Sequence, residues 1–380
     1  MAKLGDLGLI ITGNTPKTSD AQNYATDDIC FAKPSDIADG TITHLADSEF
    51  YISEYARSKA RVLPPKCILV TCIGVIGKVA INDVECAFNQ QINAIVPNKN
   101  MCIAEYVAYA IQSKQAEIQD IANAPVVPII NKTQFSNIEI PIPSLEVQKD
   151  IVSKLDKISN VIALRKEQLA KLDRLVKSRF MELFGEGQYP KAALIDLIKE
   201  GAGLSYGIVQ PGDDGTGDMG VLRPVDMVDG KISTASIKYI DRSIGDGFKK
   251  TELTGDELLI TVRGTTGITA LTDSRFAGMN VTRGIAVIRY DPNKINPVYL
   301  NAYLNTDESQ RYIQEHTRGA TLQQINLSDL RIQEIIVPPK EQQEQMAVFV
   351  AQTDKSKSAI QQSLGKLELL KKSLMQEYFG

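Results

Sequence analysis

The chain has 380 residues, 43% of them apolar and 23% charged, with a net charge of −4 and a pI near 5.5. That length suits two globular domains plus long helices, and the composition excludes a disordered chain. The acidic balance speaks against a general nucleic-acid coat protein; a specific reader needs only a local basic surface, or one completed by a partner.

Residues 1–143 read as a mixed α/β domain. Leu4-Gly5-Asp6-Leu7 opens it, followed by a polar loop from Gly13 to Asp28, the segment Ile29–Ile37, and a turn at Asp39-Gly40. Cys67–Thr71 reads as a buried strand closed by Gly74 and Gly77, and Ile92–Val96 as another that ends at Pro97. A helix is expected over Ala104–Ile121, with Tyr106, Val107, Ala110 and Ile111 facing inward. All five cysteines (Cys30, Cys67, Cys72, Cys86 and Cys102) lie in this third of the chain, none in a Cys-x-x-Cys pair, and the only histidines are His44 and His316. Reduced thiols and no metal are therefore expected. No apolar run reaches the roughly 18 residues of a membrane span, and Met1-Ala2-Lys3-Leu4 starts no signal peptide. A cytoplasmic protein without a membrane partner follows.

Residues 144–185 predict a long helix, entered after Pro141 and Pro143 and stopped at Gly185. Ile151, Leu155, Ile158, Ile162, Leu169, Leu172, Val176 and Leu183 recur at alternating steps of four and three, with Arg165 and Arg179 in the gaps. That is a narrow coiled-coil seam, which buries little unless a second helix lies along it. Residues 339–380 supply one: Met346, Val350, Ile360, Leu364, Leu367 and Leu374 form its seam. The two segments match at a constant offset of 195, pairing Glu146 with Glu341, Gln148 with Gln343, and Phe184-Gly185 with Phe379-Gly380. About 36 helical residues would span roughly 54 Å, the length of a separator rod.

Between the helices, residues 186–338 repeat the first domain at an offset of 190. Leu194-x-Asp196-Leu197 mirrors Leu4-x-Asp6-Leu7, and Arg223-Pro224-Val225-Asp226 through Asp229-Gly230 mirrors Lys33-Pro34-Ser35-Asp36 through Asp39-Gly40. Leu258–Gly267 mirrors Ile68–Gly77. His44–Lys66 and Thr234–Asp256 have little in common, nor do Gly13–Asp28 and Gly201–Gly220. The expected fold class is thus α/β (α+β): two mixed α/β domains at 1–143 and 186–338, separated by helices at 144–185 and 339–380 that form an antiparallel coiled coil.

No catalytic motif is present. There is no Asn-Pro-Pro-Tyr or Asp-Pro-Pro-Tyr, no Gly-x-Ser-x-Gly and no His-Glu-x-x-His. Gly74-Val75-Ile76-Gly77-Lys78 is no phosphate loop: Cys72 replaces its first glycine and Val79 its Ser or Thr, so a turn between strands is expected. Basic residues of the variable parts are the candidates for DNA contact: Lys33, Arg57, Lys59 and Arg61 in the first domain, and Arg223, Arg242, Lys249, Lys250, Arg263, Arg283 and Arg318 in the second. Arg57, Lys59 and Arg61 alternate, which would align them on one face of an extended segment. Arg reads guanine edges and Lys and Arg anchor phosphates, although any one of these could be a solvated surface charge. Asn131–Gln134 and Gln323–Asn326 could touch a duplex or cap the next element.

These features together resemble the specificity subunit of type I restriction–modification systems. The resemblance rests on Ser178-x-x-x-Glu182-x-Phe184-Gly185 and Ser373-x-x-x-Glu377-x-Phe379-Gly380, on Ile140–Pro143 and Ile335–Pro338 leading to Glu-x-Gln, and on the Val262–Gly267 turn. In the first domain Cys72-Ile73 stands where the second has Val262-Arg263. The resemblance implies a non-catalytic chain whose two target-recognition domains each read half of a bipartite double-stranded DNA sequence. Two methylase subunits would dock beside the helices, and motor-nuclease subunits would join for restriction. S-adenosylmethionine, ATP and magnesium would belong to those partners. The alternative is a coiled-coil adaptor holding two protein-binding domains without touching DNA.

Overall fold

The computed structural model describes every residue except 123–127, 186, 211, 213–216, 229 and 321. The expected first residue of the second domain, Asp229 of the repeat, and part of the 201–220 loop therefore lie outside the described residues. The chain forms two compact units, Met1–Arg165 with Ser363–Gly380, and Lys166–Gln362. Each unit thus holds one globe together with one part of both long helices.

In the first unit, five strands lie in the order Gly8–Thr12, Ile92–Pro97, Ile68–Thr71, Val79–Asn82, Ile42–Leu45, antiparallel except for the last pair. A second sheet pairs Ile29–Ala32 parallel to Cys86–Phe88, with Tyr51–Ile52 and Val62–Leu63 at its edges. The second unit repeats this plan with fewer strands. Ser205–Tyr206, Ile285–Ile288, Leu258–Thr261 and Thr269–Leu271 form one sheet, and Met219–Leu222 runs parallel to Asn280–Val281 in the other. The central strands are buried on both faces, which is why Ile68–Thr71 and Leu258–Thr261 read as continuous apolar runs.

The expected helix over Ala104–Ile121 is two helices, Ala104–Ser113 and Gln115–Ile121, broken at Lys114, where ψ is 13°. The apolar pattern continues across this kink, so periodicity alone does not reveal it. The long helices run over Leu145–Phe184 and Lys340–Phe379, 40 residues each. In the first unit Ile151 and Leu155 of the central helix share a core with Phe379, flanked by Leu374, Met375 and Tyr378. In the second, Phe180 and Phe184 share a core with Met346 and Val350 of the C-terminal helix. The start of each helix therefore packs beside the end of the other, the arrangement of an antiparallel pair. Asp173 and Lys357 join the helices of the second unit at 2.5 Å.

Every expected seam residue is buried or half-buried: Ile151, Leu155, Met346 and Val350 fully, Ile158, Ile162, Leu169, Leu172, Val176, Leu183, Ile360, Leu364, Leu367 and Leu374 partly. Arg165 and Arg179 are half-buried in the gaps, with Arg179 lying over the Phe349 ring. Off the seam, Leu175 and Leu370, equivalent in the repeat, are each 48% exposed.

Candidate nucleic-acid interface

One turn is built identically in both globes. Thr71 and Thr261 end their buried strands; each carbonyl accepts from the second glycine of the turn, Gly77 at 2.9 Å and Gly267 at 2.8 Å. Their hydroxyls accept from Lys78 N at 3.1 Å and Ile268 N at 2.9 Å. Gly74, Gly77, Gly264 and Gly267 all have φ between 77° and 89°, a region that disfavours side chains, so the glycine spacing follows from the turn itself. Two neighbouring segments are tied to it. Gly74 N donates to Pro128 O and Gly264 N to Gln323 O; Cys72 N donates to Gln91 O and Val262 N to Gly284 O. The expectation of a turn between strands, and not a phosphate loop, holds.

In the second globe this frame gathers three of the predicted arginines. Gln324 pairs with Arg263 on one side and with Arg318 on the other, and Arg283 is on the adjoining loop. Arg283 is exposed and Arg263 half-exposed, and neither has an acidic partner among the described residues. Arg318 is largely exposed, with Asp329 only at 3.8 Å. Arg263 and Arg283, held by a folded backbone and without an acidic partner among the described residues, are suited to an outside anion or a base edge.

The other candidates are differently placed. Arg57, Lys59 and Arg61 do not share an extended face: Glu54–Lys59 is a 3-10 helix. Arg57 is held by Glu54 and Glu85, which push its pKa up, and Lys59 by Asp20 at 2.9 Å, while Arg61 donates to Thr12 O. Alternation implied a strand only as long as Glu85 and Asp20, remote in sequence, were left out. Lys33 lies 3.0 Å from the Phe50 ring centre, and Arg223 grips the buried Asp226 through two contacts of 3.1 Å. Asp36 and Asp226 also accept from the backbone N of Lys33 and Arg223, so this repeated motif holds a turn. Arg242 faces Asp218 and Glu252. Lys249 and Lys250 are exposed on the turn Asp246–Thr251, the counterpart of Glu54–Lys59 in a region whose sequences looked unrelated. Asn131 caps the helix Lys132–Ser136 through Gln134, as the structural alternative expected.

The sequence reading missed how the globes grip the helices. Gln148 is fully buried: its Oε1 accepts from Ile103 N at 3.0 Å, and its Nε2 donates to Met101 O at 3.1 Å and Pro143 O at 2.8 Å. Gln343 does the same with Asn296 N and Pro338 O, both at 2.8 Å. Ile103 and Asn296 each stand just before a globular helix. At the other helix ends, Phe379 packs on Tyr106 and Phe184 on Tyr299, both with centroids 5.3 Å apart. The paired Glu-x-Gln and Phe-Gly motifs were the available signal.

The model of the type I restriction modification DNA specificity domain matches residues 1–174 and 217–371. The chain is 35% identical over 170 residues to the Type I restriction enzyme HindI specificity subunit of Haemophilus influenzae, covering 43% of this chain and 37% of that protein. It is 20% identical over 324 residues to the EcoBI specificity subunit of Escherichia coli, covering 77% and 68%. The matched part thus spans little more than a third of the HindI subunit and about two thirds of the EcoBI subunit. Among solved structures, a chain of a type I R-M system has a TM-score of 0.57 at 17% identity, covering 99% of this chain and 96% of that one. The S subunit of M. genitalium has a TM-score of 0.54 at 13% identity, covering 100% and 95%. These two establish the fold, two repeated mixed domains and two long helices. With the domain model matched over most of its length, this chain belongs to the type I restriction–modification DNA specificity family.

Proposed function

We propose that this chain is the sequence-reading subunit of a type I restriction–modification complex, each globe reading one half of a bipartite duplex target. The observation that carries the reading is the duplicated turn: one backbone, held by the same hydrogen bonds, presenting different side chains in the two globes. Arg263, Arg283, Arg318 and Gln324 supply base- and phosphate-directed donors in the second globe. The helices set the spacer between the half-sites and offer apolar surface to two methylase subunits; Leu164 and Leu369 in the first unit and Leu175 in the second are 57%, 69% and 48% exposed. Motor-nuclease subunits join for restriction. S-adenosylmethionine, ATP and magnesium belong to those partners, and the chain works in the cytoplasm. Modified-base sequencing of genomic DNA with and without this gene tests the reading. A two-part methylated motif that disappears with the gene supports it; an unchanged methylome overturns it.

A further inference from the structure

The side chains on the duplicated turn differ in a consistent way. Ile73 occupies the position of Arg263, Val75 that of Thr265, and Ile129 that of Gln324, the latter shown by matching backbone bridges Ile73–Ile129 and Arg263–Gln324. Val75 is 54% and Ile129 47% exposed, although the same backbone readily carries polar groups in the other globe. Exposed Gln90 stands at the position of Arg283, and exposed Asn131 and Lys132 follow the bridge, so the apolar group has a polar rim. Gly74 and Gly264, between the paired positions, both have open space around them among the described residues.

We propose that the two globes read different base chemistry with the same turn: the second takes guanine edges through Arg263 and Arg283, the first takes thymine methyl groups through Ile73, Val75 and Ile129. This rests on the reading of the chain as a DNA-recognition subunit. In the major groove guanine offers two acceptors that match a guanidinium, while the C5 methyl of thymine is the apolar group on a base edge. Three branched aliphatic side chains inside a polar rim suit such methyls.

The test uses the full chain with its methylase. Modified-base sequencing gives the motif, and the half-site relaxed by Arg263→Ala is assigned to the second globe. That variant should weaken methylation of the intact motif roughly 5- to 160-fold and relax a guanine position. Duplexes with deoxyuridine in place of each thymidine, which lack only the methyl, are then methylated in vitro. In the other half-site one or more such changes should weaken binding about four-fold each, the equivalent of ~0.8 kcal/mol per buried methyl. The effect should vanish in Val75→Ser/Ile129→Ser. Uracil without effect in that half-site, with the motif intact, overturns this proposal and leaves the recognition function standing. Serine variants that no longer bind the methylase but keep sequence-selective DNA binding also overturn it, since the patch then binds protein. Absence of any motif overturns both.

Discussion

Gln148→Leu removes the three hydrogen bonds that tie the first turns of the central helix to its globe, while keeping the volume of the side chain. A hydrogen bond contributes about 1 kcal/mol net, and each buried group left without a partner costs about 1–3 kcal/mol. Gln148 is fully buried, so a loss of about 3 kcal/mol is the lower expectation for the first unit. Gln343→Leu removes two such bonds and should cost about 2 kcal/mol in the second. Urea unfolding followed by far-UV circular dichroism and tyrosine fluorescence measures both; the chain has 13 tyrosines and no tryptophan. Gln148→Glu supplies a sign test. Its carboxylate would face the carbonyls of Met101 and Pro143, raising its folded pKa above the unfolded value of about 4.3. Its destabilisation should therefore be full near neutral pH and shrink as pH falls through the folded pKa. A Gln148→Leu protein within about 0.5 kcal/mol of the parent would refute the latch, because that is the scatter of an ordinary surface change.

Phe379→Ala should cost about 3–5 kcal/mol in the first unit, where the ring is 5% exposed against Tyr106, and calorimetry should show the loss. Burial pushes the thiol of Cys67 up to about 11 and those of Cys72 and Cys86 up to about 12. Their neutral form is favoured in the fold, so stability of the first unit should hold below about pH 8.5 and fall as pH rises toward those values, and mass spectrometry after alkylation at pH 8 should find Cys30, the half-exposed thiol, modified first. Arg57→Ala, already paired with Glu54 and Glu85, should change DNA affinity far less than Arg263→Ala in a filter-binding assay. Inserting four residues after both Leu169 and Leu364 adds about 6 Å of helix and should lengthen the spacer by one or two base pairs without changing either half-site, as motif sequencing would report.

The seam and the duplication were legible because both are periodic: apolar residues at helical steps, and motifs at a constant offset. The turn was legible for a similar reason, since its four positive φ values favour glycine at each place. What sequence could not supply is partnership across distance. Arg57 is tied to Glu85, and Lys59 to Asp20, 39 positions away, so an apparent basic face is a set of internal ion pairs. The helix break at Lys114 leaves the hydrophobic pattern intact and so leaves no trace in periodicity. Gln148 and Gln343 look like ordinary exposed helix-start residues until the carbonyls around them are known.

The fittings and the turn obey different constraints, and this explains which parts of the repeat agree. A Gln latch or a Phe plug must match a fixed geometry: the first globe holds the start of the central helix by Gln148 and the end of the other by Phe379, and the second uses Gln343 and Phe184. Each globe therefore receives the beginning of one helix and the end of the other. Changing one such residue leaves buried donors or a cavity behind. The turn places no such demand on Ile73 or Arg263. Its hydrogen bonds come from the backbone and from Thr71 and Thr261, so its outward side chains can change from aliphatic to guanidinium without loss of the frame. Under the proposed function, that separation would let the target change while the helix fittings stay: it lies between the buried side chains that fix the helices and the exposed ones on a backbone-held turn.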